Sequence, residues 1–418
     1  MSHRVNEAAR ASAGHGGTSM LSVEQAQELI LAAARASPEA VTVPLGEALG
    51  RVAAEGLAAR VAVPPTDNSA MDGYAIRAED AMAGGRILPV SAVIPAGTAP
   101  GKLAAGTAAR IFTGAPVPDG ADTVVVQELC RRDGDSVQLP TDLHAGSNIR
   151  RAGEDLQRDD LVLAAGTRLR PQHLALAASA GYAAIAVRPR LRVAILVTGD
   201  ELVEPGKPLP PGKIYNSNGF ALAGLLQALG CETRDCRIVA DTLSETMEAL
   251  REAAAHSDLV ITSGGVSVGD EDHVREAVQR LGSVDFWRVA LRPGKPVAMG
   301  QIGGTPFFGL PGNPVSLFVT FCLFARPFIL KAQGLAEPLP GHLPATADFN
   351  LHAESRSRYL RGRLDVDGHR LLATLFSNQG SGVMRSTTWA NALVRIPPET
   401  AISPGDSVSA LYYPDIDG

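Results

Sequence analysis

Residues 191 to 265 alternate between two apolar patterns, and that alternation leaves few architectures open. "LRVAILVTG" is a continuous apolar run, "FALAGLLQALG" has helical periodicity and "TRDCRIVAD" is extended. "TLSETMEALREAAAHS" is amphipathic at helical spacing, and "DLVITSGG" is a second apolar run. Strands that are apolar throughout need burial on both faces, which a parallel sheet between two helix layers provides. Strand, helix, strand, helix, strand with short connections therefore predicts a doubly wound α/β domain over about 190 to 340. The run "PVSLFVTFCLFA" at 314–325 falls short of the roughly 18–20 residues needed to span a bilayer and is expected as a buried helix. Asn313 is placed to cap it and Pro314 suits its first position.

The flanks differ. Residues 1–19 are polar and read as a disordered extension, with no apolar segment of the secretory type. Ser22 with Gln25 three residues on is a capping-box signal for a helix over about 22–36. From there to about 189 short β-branched runs alternate with turn signals, so this region is expected to be strand-rich. After the Pro- and Gly-rich linker "GLAEPLPGHLP", the C-terminal stretch alternates at period two and predicts a small β-barrel or sandwich. The fold class expected is α/β plus β, multi-domain.

Among 418 residues, 38 Lys and Arg face 44 Asp and Glu, so no global cationic field exists to attract nucleic acid or an acidic membrane. Any anionic ligand must be held locally. The four cysteines form no CxxC pair and lack disulfide-framework spacing, which fits a reduced, cytoplasmic setting.

Ligands of open α/β sheets bind beyond the carboxyl ends of the strands. Here one strand ends in "TGDEL", with Glu201, and another in "SGGVSVGDEDHV", where Gly264, Gly265, Ser267 and Gly269 precede Asp272. The glycines suit a phosphate on backbone N–H groups, while the acids equally suit the first turn of the helix that follows. Positive charge comes from "LRPGKP", with Arg292 and Lys295, and a second anion-facing helix start from "GLPGNPVS", with Asn313 and Ser316. Earlier in the chain, "PPTDNSAMDGYAIR" holds Asp72, "IFTGAPVPDGAD" holds Thr113 and "NIRRAGEDL" holds Asp155; taken by themselves, turn chemistry and surface charge account for these segments more readily than a site does.

In this order, "DNSAMDGYAIR", "IFTGAPVP", "NIRRAGEDL", "TGDEL", "YNSNG", "SGGVSVGDED", "LRPGKP", "GLPGNPVS" and "NQGSG" resemble the molybdopterin molybdenumtransferase family, whose animal relative is the E domain of gephyrin. The resemblance implies a discontinuous N-terminal linking subdomain (20–60 and 147–189), an inserted β-rich lobe (61–146), a molybdopterin-binding α/β domain (190–340) and a C-terminal β-barrel (341–418). It also implies a homodimer whose cleft is shared between chains. The implied activity is Mg²⁺-dependent insertion of molybdate into adenylated molybdopterin, with loss of AMP. Asp72, Thr113, Asp155, Glu201 and Asp272 occupy the family's functional positions, and Glu201 and Asp272 are the expected Mg²⁺ carboxylates. Arg292 stands where some members have lysine. An upstream adenylyltransferase and acceptor molybdoenzymes are the implied partners. Two other readings are weighed: an adenylyltransferase sharing the α/β domain, which would not need the flanking domains, and a peptide-binding scaffold, which would not need the acids.

Overall fold

The computed structural model describes residues 20–83, 85–99, 101–265 and 273–417. The chain divides into two units, one holding Thr42–Leu49 and Ala53–Val187, the other the chain up to Val41, Gly50–Val52 and everything from Arg188 onward.

The second of these begins with helix α1 (Val23–Ala33), whose capping box forms as expected: Ser22 Oγ accepts from the Gln25 N–H at 3.1 Å and Gln25 Oε1 accepts from the Ser22 N–H at 2.9 Å. The apolar face of α1, Val23, Ala26 and Ile30, is buried in the core of the α/β domain. The grouping of 20–60 into one linking subdomain thus differs from the packing, because the stripe on this helix finds its apolar partners in the α/β core.

The expected alternation follows: β1 (Arg192–Thr198), α2 (Asn218–Ala228), β2 (Glu232–Val239), α3 (Leu243–His256), β3 (Leu259–Ser263) and α4 (His273–Leu281). Next come β4 (Gly282–Arg288), β5 (Leu291–Arg292), β6 (Pro296–Ile302) and β7 (Thr305–Leu310). The sheet runs in the order β2-β1-β3-β7-β6-β4. Its first four strands are parallel, while β6 and β4 run antiparallel to their neighbours. The departure from a wholly parallel sheet has a local cause. Gly303 and Gly304, with φ of +57° and +92°, form the two-residue connection between β6 and β7, and tight hairpin turns of this kind require positive φ.

Alternation along β1 shows why its run is apolar throughout. Val193, Ile195 and Val197 enter a core with α1, α2 and the later helices, whereas Ala194 and Leu196 enter a core with Leu250, Ala253 and Val274. The run after β7 folds as α5 (Pro314–Thr320), a π-helical turn (Phe321–Ala325) and α6 (Arg326–Ala332). This 19-residue stretch has the length and composition of a membrane span, but 89% of its most apolar window is buried in the protein, as a core helix would be.

Five C-terminal strands, β8 (Leu343–Ala347), β9 (Ser357–Asp367), β10 (Arg370–Leu375), β11 (Ala392–Ile396) and β12 (Ser407–Tyr412), close into a barrel because β9 pairs with both β10 and β11. Strand β5 joins it by pairing Leu291 with Ser357 and Arg292 with Arg358.

The other unit holds a six-stranded sheet in the order Thr123–Val126, Gly73–Ile76, Ala108–Ile111, Ile87–Ile94, Ser136–Gln138, Arg131–Asp133. A separate small core in that unit gathers Leu57, Val162, Leu163, Leu169 and Ile185 from both ends of the segment.

Candidate active site

A cleft of about 740 Å³ lies at the carboxyl ends of β1, β3 and β7. Thr198 and Glu201 line it from the end of β1, Asp241 from the end of β2, and Gly264 and Gly265 from the end of β3. Asn216 and Asn218 face it from the start of α2, and Gly312 and Asn313 from the start of α5. Gly382 and Met384 complete it from the barrel segment.

The glycines are fixed by close approach. Gly264 has φ +92° and a Cβ on it would stand 2.6 Å from the Thr198 carbonyl oxygen; Gly265 has φ +63° and its Cβ would meet Val274 Cγ2 at 2.3 Å. Gly199, with φ +149°, stands against the Glu201 carboxylate, and a Cβ there would lie 2.6 Å from Oε2 and push that side chain aside. The glycines therefore set how near the loops stand to one another and to Glu201.

Asn218 ties three of these segments together. Its Nδ2 donates to Ser263 Oγ at 2.9 Å and to the Gly312 carbonyl at 2.8 Å, while its buried Oδ1 has no partner. A buried acceptor left unsatisfied at the edge of a polar cleft is matched to a donor from a ligand or water.

The anion-cradle expectation needs correction at two points. The Gly264 N–H donates to the Leu310 carbonyl at 3.1 Å, so its contribution is closeness and not a free donor. At the start of α5, Pro314 has no N–H and the Val315 N–H donates to the Ser381 carbonyl at 3.0 Å. Asn313 occupies the cap position but its side chain makes no capping hydrogen bond. Ser316 is buried one residue further in, with its carbonyl accepting from Thr320 Oγ1 at 2.8 Å. Ser267, Gly269 and Asp272 lie outside the described residues.

Arg292 is held by Glu354, with Nη1 2.8 and 2.7 Å from the two carboxylate oxygens, and the hydrogen bond from Arg292 keeps Glu354 below the usual carboxylate range. Lys295 is exposed next to Pro296, which lines the cleft.

Sequence reasoning missed two residues. Asp241 follows β2 directly and lines the cleft, and its N–H donates to Asp200 Oδ1 at 3.2 Å. A lone Asp after an extended run was the available signal. Arg361 is fully buried in β9 and holds the segment behind Gly382 and Met384 in place. Its Nε donates to Ser386 Oγ at 3.0 Å and its Nη2 to the Gly380 carbonyl at 3.2 Å, while Gln379 bonds its main chain on both sides. Burial pushes its guanidinium down to about 10.

In the other unit, Asp72 and Thr113 meet. The Thr113 N–H and Oγ1 both donate to Asp72 Oδ1, at 2.7 and 2.8 Å, and the main-chain bond first, then the hydroxyl, hold Asp72 below its ordinary range. Asp155 is exposed at the end of a turn ordered by Asp67, which accepts from Arg151 Nη1 at 2.6 Å and from the Ala152 N–H at 2.8 Å.

Among the described residues no group of three His, Cys, Asp or Glu side chains is assembled to hold a metal by itself.

Comparison with known proteins covers nearly the whole chain. Residues 21–181 match the MoeA N-terminal region (domains I and II), 194–331 a probable molybdopterin-binding domain, and 344–413 the MoeA C-terminal region (domain IV). A molybdopterin molybdenumtransferase of Haemophilus influenzae is 37% identical over 395 residues, covering 93% of this chain and 98% of its own. Molybdopterin molybdenumtransferase 2 of Mycobacterium tuberculosis is 39% identical over 391 residues, with 91% and 96% covered. The crystal structure of a molybdopterin biosynthesis MoeA protein from Pyrococcus horikoshii superposes with a TM-score of 0.80 at 29% identity, over 94% of this chain and 100% of the other. With sequence, domain order and three-dimensional fold in agreement over more than nine-tenths of its length, this chain belongs to the molybdopterin molybdenumtransferase family.

Proposed function

We propose that this chain, a transferase of molybdenum cofactor biosynthesis, inserts molybdenum from molybdate into adenylated molybdopterin and releases AMP, in a Mg²⁺-dependent reaction. The observation that carries the reading is the cleft itself. It is large enough for a nucleotide-sized ligand, lies at the carboxyl edge of the sheet and gathers Glu201, Asp241 and the orphaned Asn218 Oδ1 around glycines that permit close approach.

The donor set fits Mg²⁺, which takes one or two carboxylates and completes its shell with water and substrate phosphate oxygens. Glu201 and Asp241 are two such carboxylates, and Asp272 is proposed with them. The ion would neutralise charge developing on the phosphoryl oxygens as AMP leaves. The rest falls to the protein. Asn218 orients the substrate through its unpaired acceptor, Gly264 and Gly265 let the loop after β3 close on Thr198 and Val274 at the wall of the cleft, and the Gly382–Met384 segment covers the cleft from the barrel side. Arg292 is held by Glu354, which leaves Lys295 as the cation proposed for molybdate. The family's homodimer, with Asp72, Thr113 and Asp155 supplied by a second copy, and a cytoplasmic setting complete the proposal; four cysteines that form no disulfide support the latter.

Purified protein supplied with adenylated molybdopterin, molybdate and Mg²⁺ should release AMP in step with cofactor formation. Glu201→Gln and Asp241→Asn should each lower the rate about 100-fold or more, the order expected when a charge-stabilising group is lost. Adenylation of molybdopterin from ATP by this protein would contradict the assignment.

A further inference from the structure

We propose that the α/β domain has a second small-molecule site, at the amino edge of its sheet, that binds a phosphorylated compound of nucleotide size. A cavity of about 940 Å³ opens there, beside the start of β1, the start of β2, the residue before β3 and the β6–β7 hairpin. The cleft lies at the opposite ends of the same strands, so the two are separated by the length of the sheet.

The walls carry five arginines, Arg35, Arg51, Arg188, Arg190 and Arg192. Three acids are near, and two are already paired, one of them with a wall arginine. Asp258 chelates Arg192, with Oδ2 3.1 Å from Nε and Oδ1 2.6 Å from Nη2, and Glu232 pairs with Arg234 at 3.0 Å. Glu39 remains.

Among the described residues Arg35, Arg51 and Arg190 form no ion pair. Each spends one N–H on a carbonyl: Arg35 on Ala32 at 3.0 Å, Arg51 on Arg188 at 2.7 Å and Arg190 on Gly230 at 3.0 Å. A carbonyl accepts a hydrogen bond without discharging the cation, and a guanidinium has five donors. Holding a main-chain carbonyl explains one donor per arginine but not their gathering in the wall of one cavity. Burial and then the charge of Arg190 both act against the Arg51 cation, a conflict that a bound anion would relieve.

Most of the remaining wall is apolar, with Pro38, Pro189 and Pro306 beside the polar Ser37 and Gln301. A phosphoryl group forked by arginines and a body laid on proline rings together describe the ligand class. No site of this kind follows from the reaction proposed for the cleft.

Equilibrium dialysis of the full-length chain against AMP, inorganic phosphate and adenosine tests this. AMP should bind more tightly than phosphate, adenosine scarcely, and AMP binding should weaken as salt is raised. Arg190→Gln should weaken AMP at this site about tenfold or more, and Arg190→Glu should abolish it. Glu201→Gln, a cleft variant, should leave this binding unchanged. Arg51→Gln should act like Arg190→Gln, and because Arg51 is half-buried, the exposed Arg190 keeps the test decisive should that variant unfold. AMP binding that is untouched by both Arg190 variants, or confined to the site that Glu201→Gln alters, would overturn the proposal.

Discussion

At the residue scale the cleft depends on atoms that are missing. Gly264→Ala forces a Cβ toward the Thr198 carbonyl in a left-handed backbone, and such strain costs about 1–3 kcal/mol. Urea denaturation should show that loss, together with weakened substrate binding. Asp72 provides a titration test. Because its folded pKa is lowered, the stability it contributes is present above the ordinary carboxylate value and is lost as pH falls through the lowered one. Thr113→Val removes the hydroxyl donor but keeps the larger main-chain contribution. Carboxyl carbon NMR should therefore find Asp72 moved part of the way back toward the ordinary range, and a full return would show that the main-chain bond counts for little.

At the scale of elements, Arg361 links the barrel to the wall of the cleft. Arg361→Met keeps volume and loses the bonds to Ser386 and Gly380, so amide exchange should rise across residues 378–386 while the barrel strands stay protected. Unchanged exchange in that segment would mean that Gln379 alone holds it. How far these elements could be read in advance depended on what each pattern encodes. The strands β1 and β3 were legible because burial on both faces leaves an unbroken apolar run. Helix α1 was legible from Ser22 and Gln25, but its packing against the α/β core was not, since an apolar stripe does not say which neighbour it will meet. Strands β6 and β7 carry their signal in the Gly303–Gly304 turn between them. Asp241 looked like any acid after a strand, and Arg361 acquires its role only once the barrel has closed. Gly264 was legible as a constraint but not as an occupied donor, because its partner Leu310 lies 46 residues away in sequence, at the end of β7.

For the whole molecule, the largest apolar core among the described residues is that of the α/β domain. Phe308 is fully buried and meets Phe328 edge-on, with ring centroids 5.2 Å apart. Phe308→Ala should cost about 3–5 kcal/mol, the usual range for emptying an aromatic core position, and lower the unfolding midpoint accordingly. Ile30→Ala should cost about 2–5 kcal/mol by the same reasoning and loosen α1 first, detectable as protease cleavage near residues 34–40 before global unfolding.

The hydrogen bond from Val315 to Ser381 bears on anyone who would dissect this protein genetically. The proline-rich stretch after residue 334 invites a stop codon there, since the six-stranded sheet takes no strand from beyond it. The truncated product would lack Gly382 and Met384, expose the amide at the head of α5 and uncover the part of the α/β core that Tyr359, Leu393 and Tyr413 close, so that one side of its cleft and one side of its core go together.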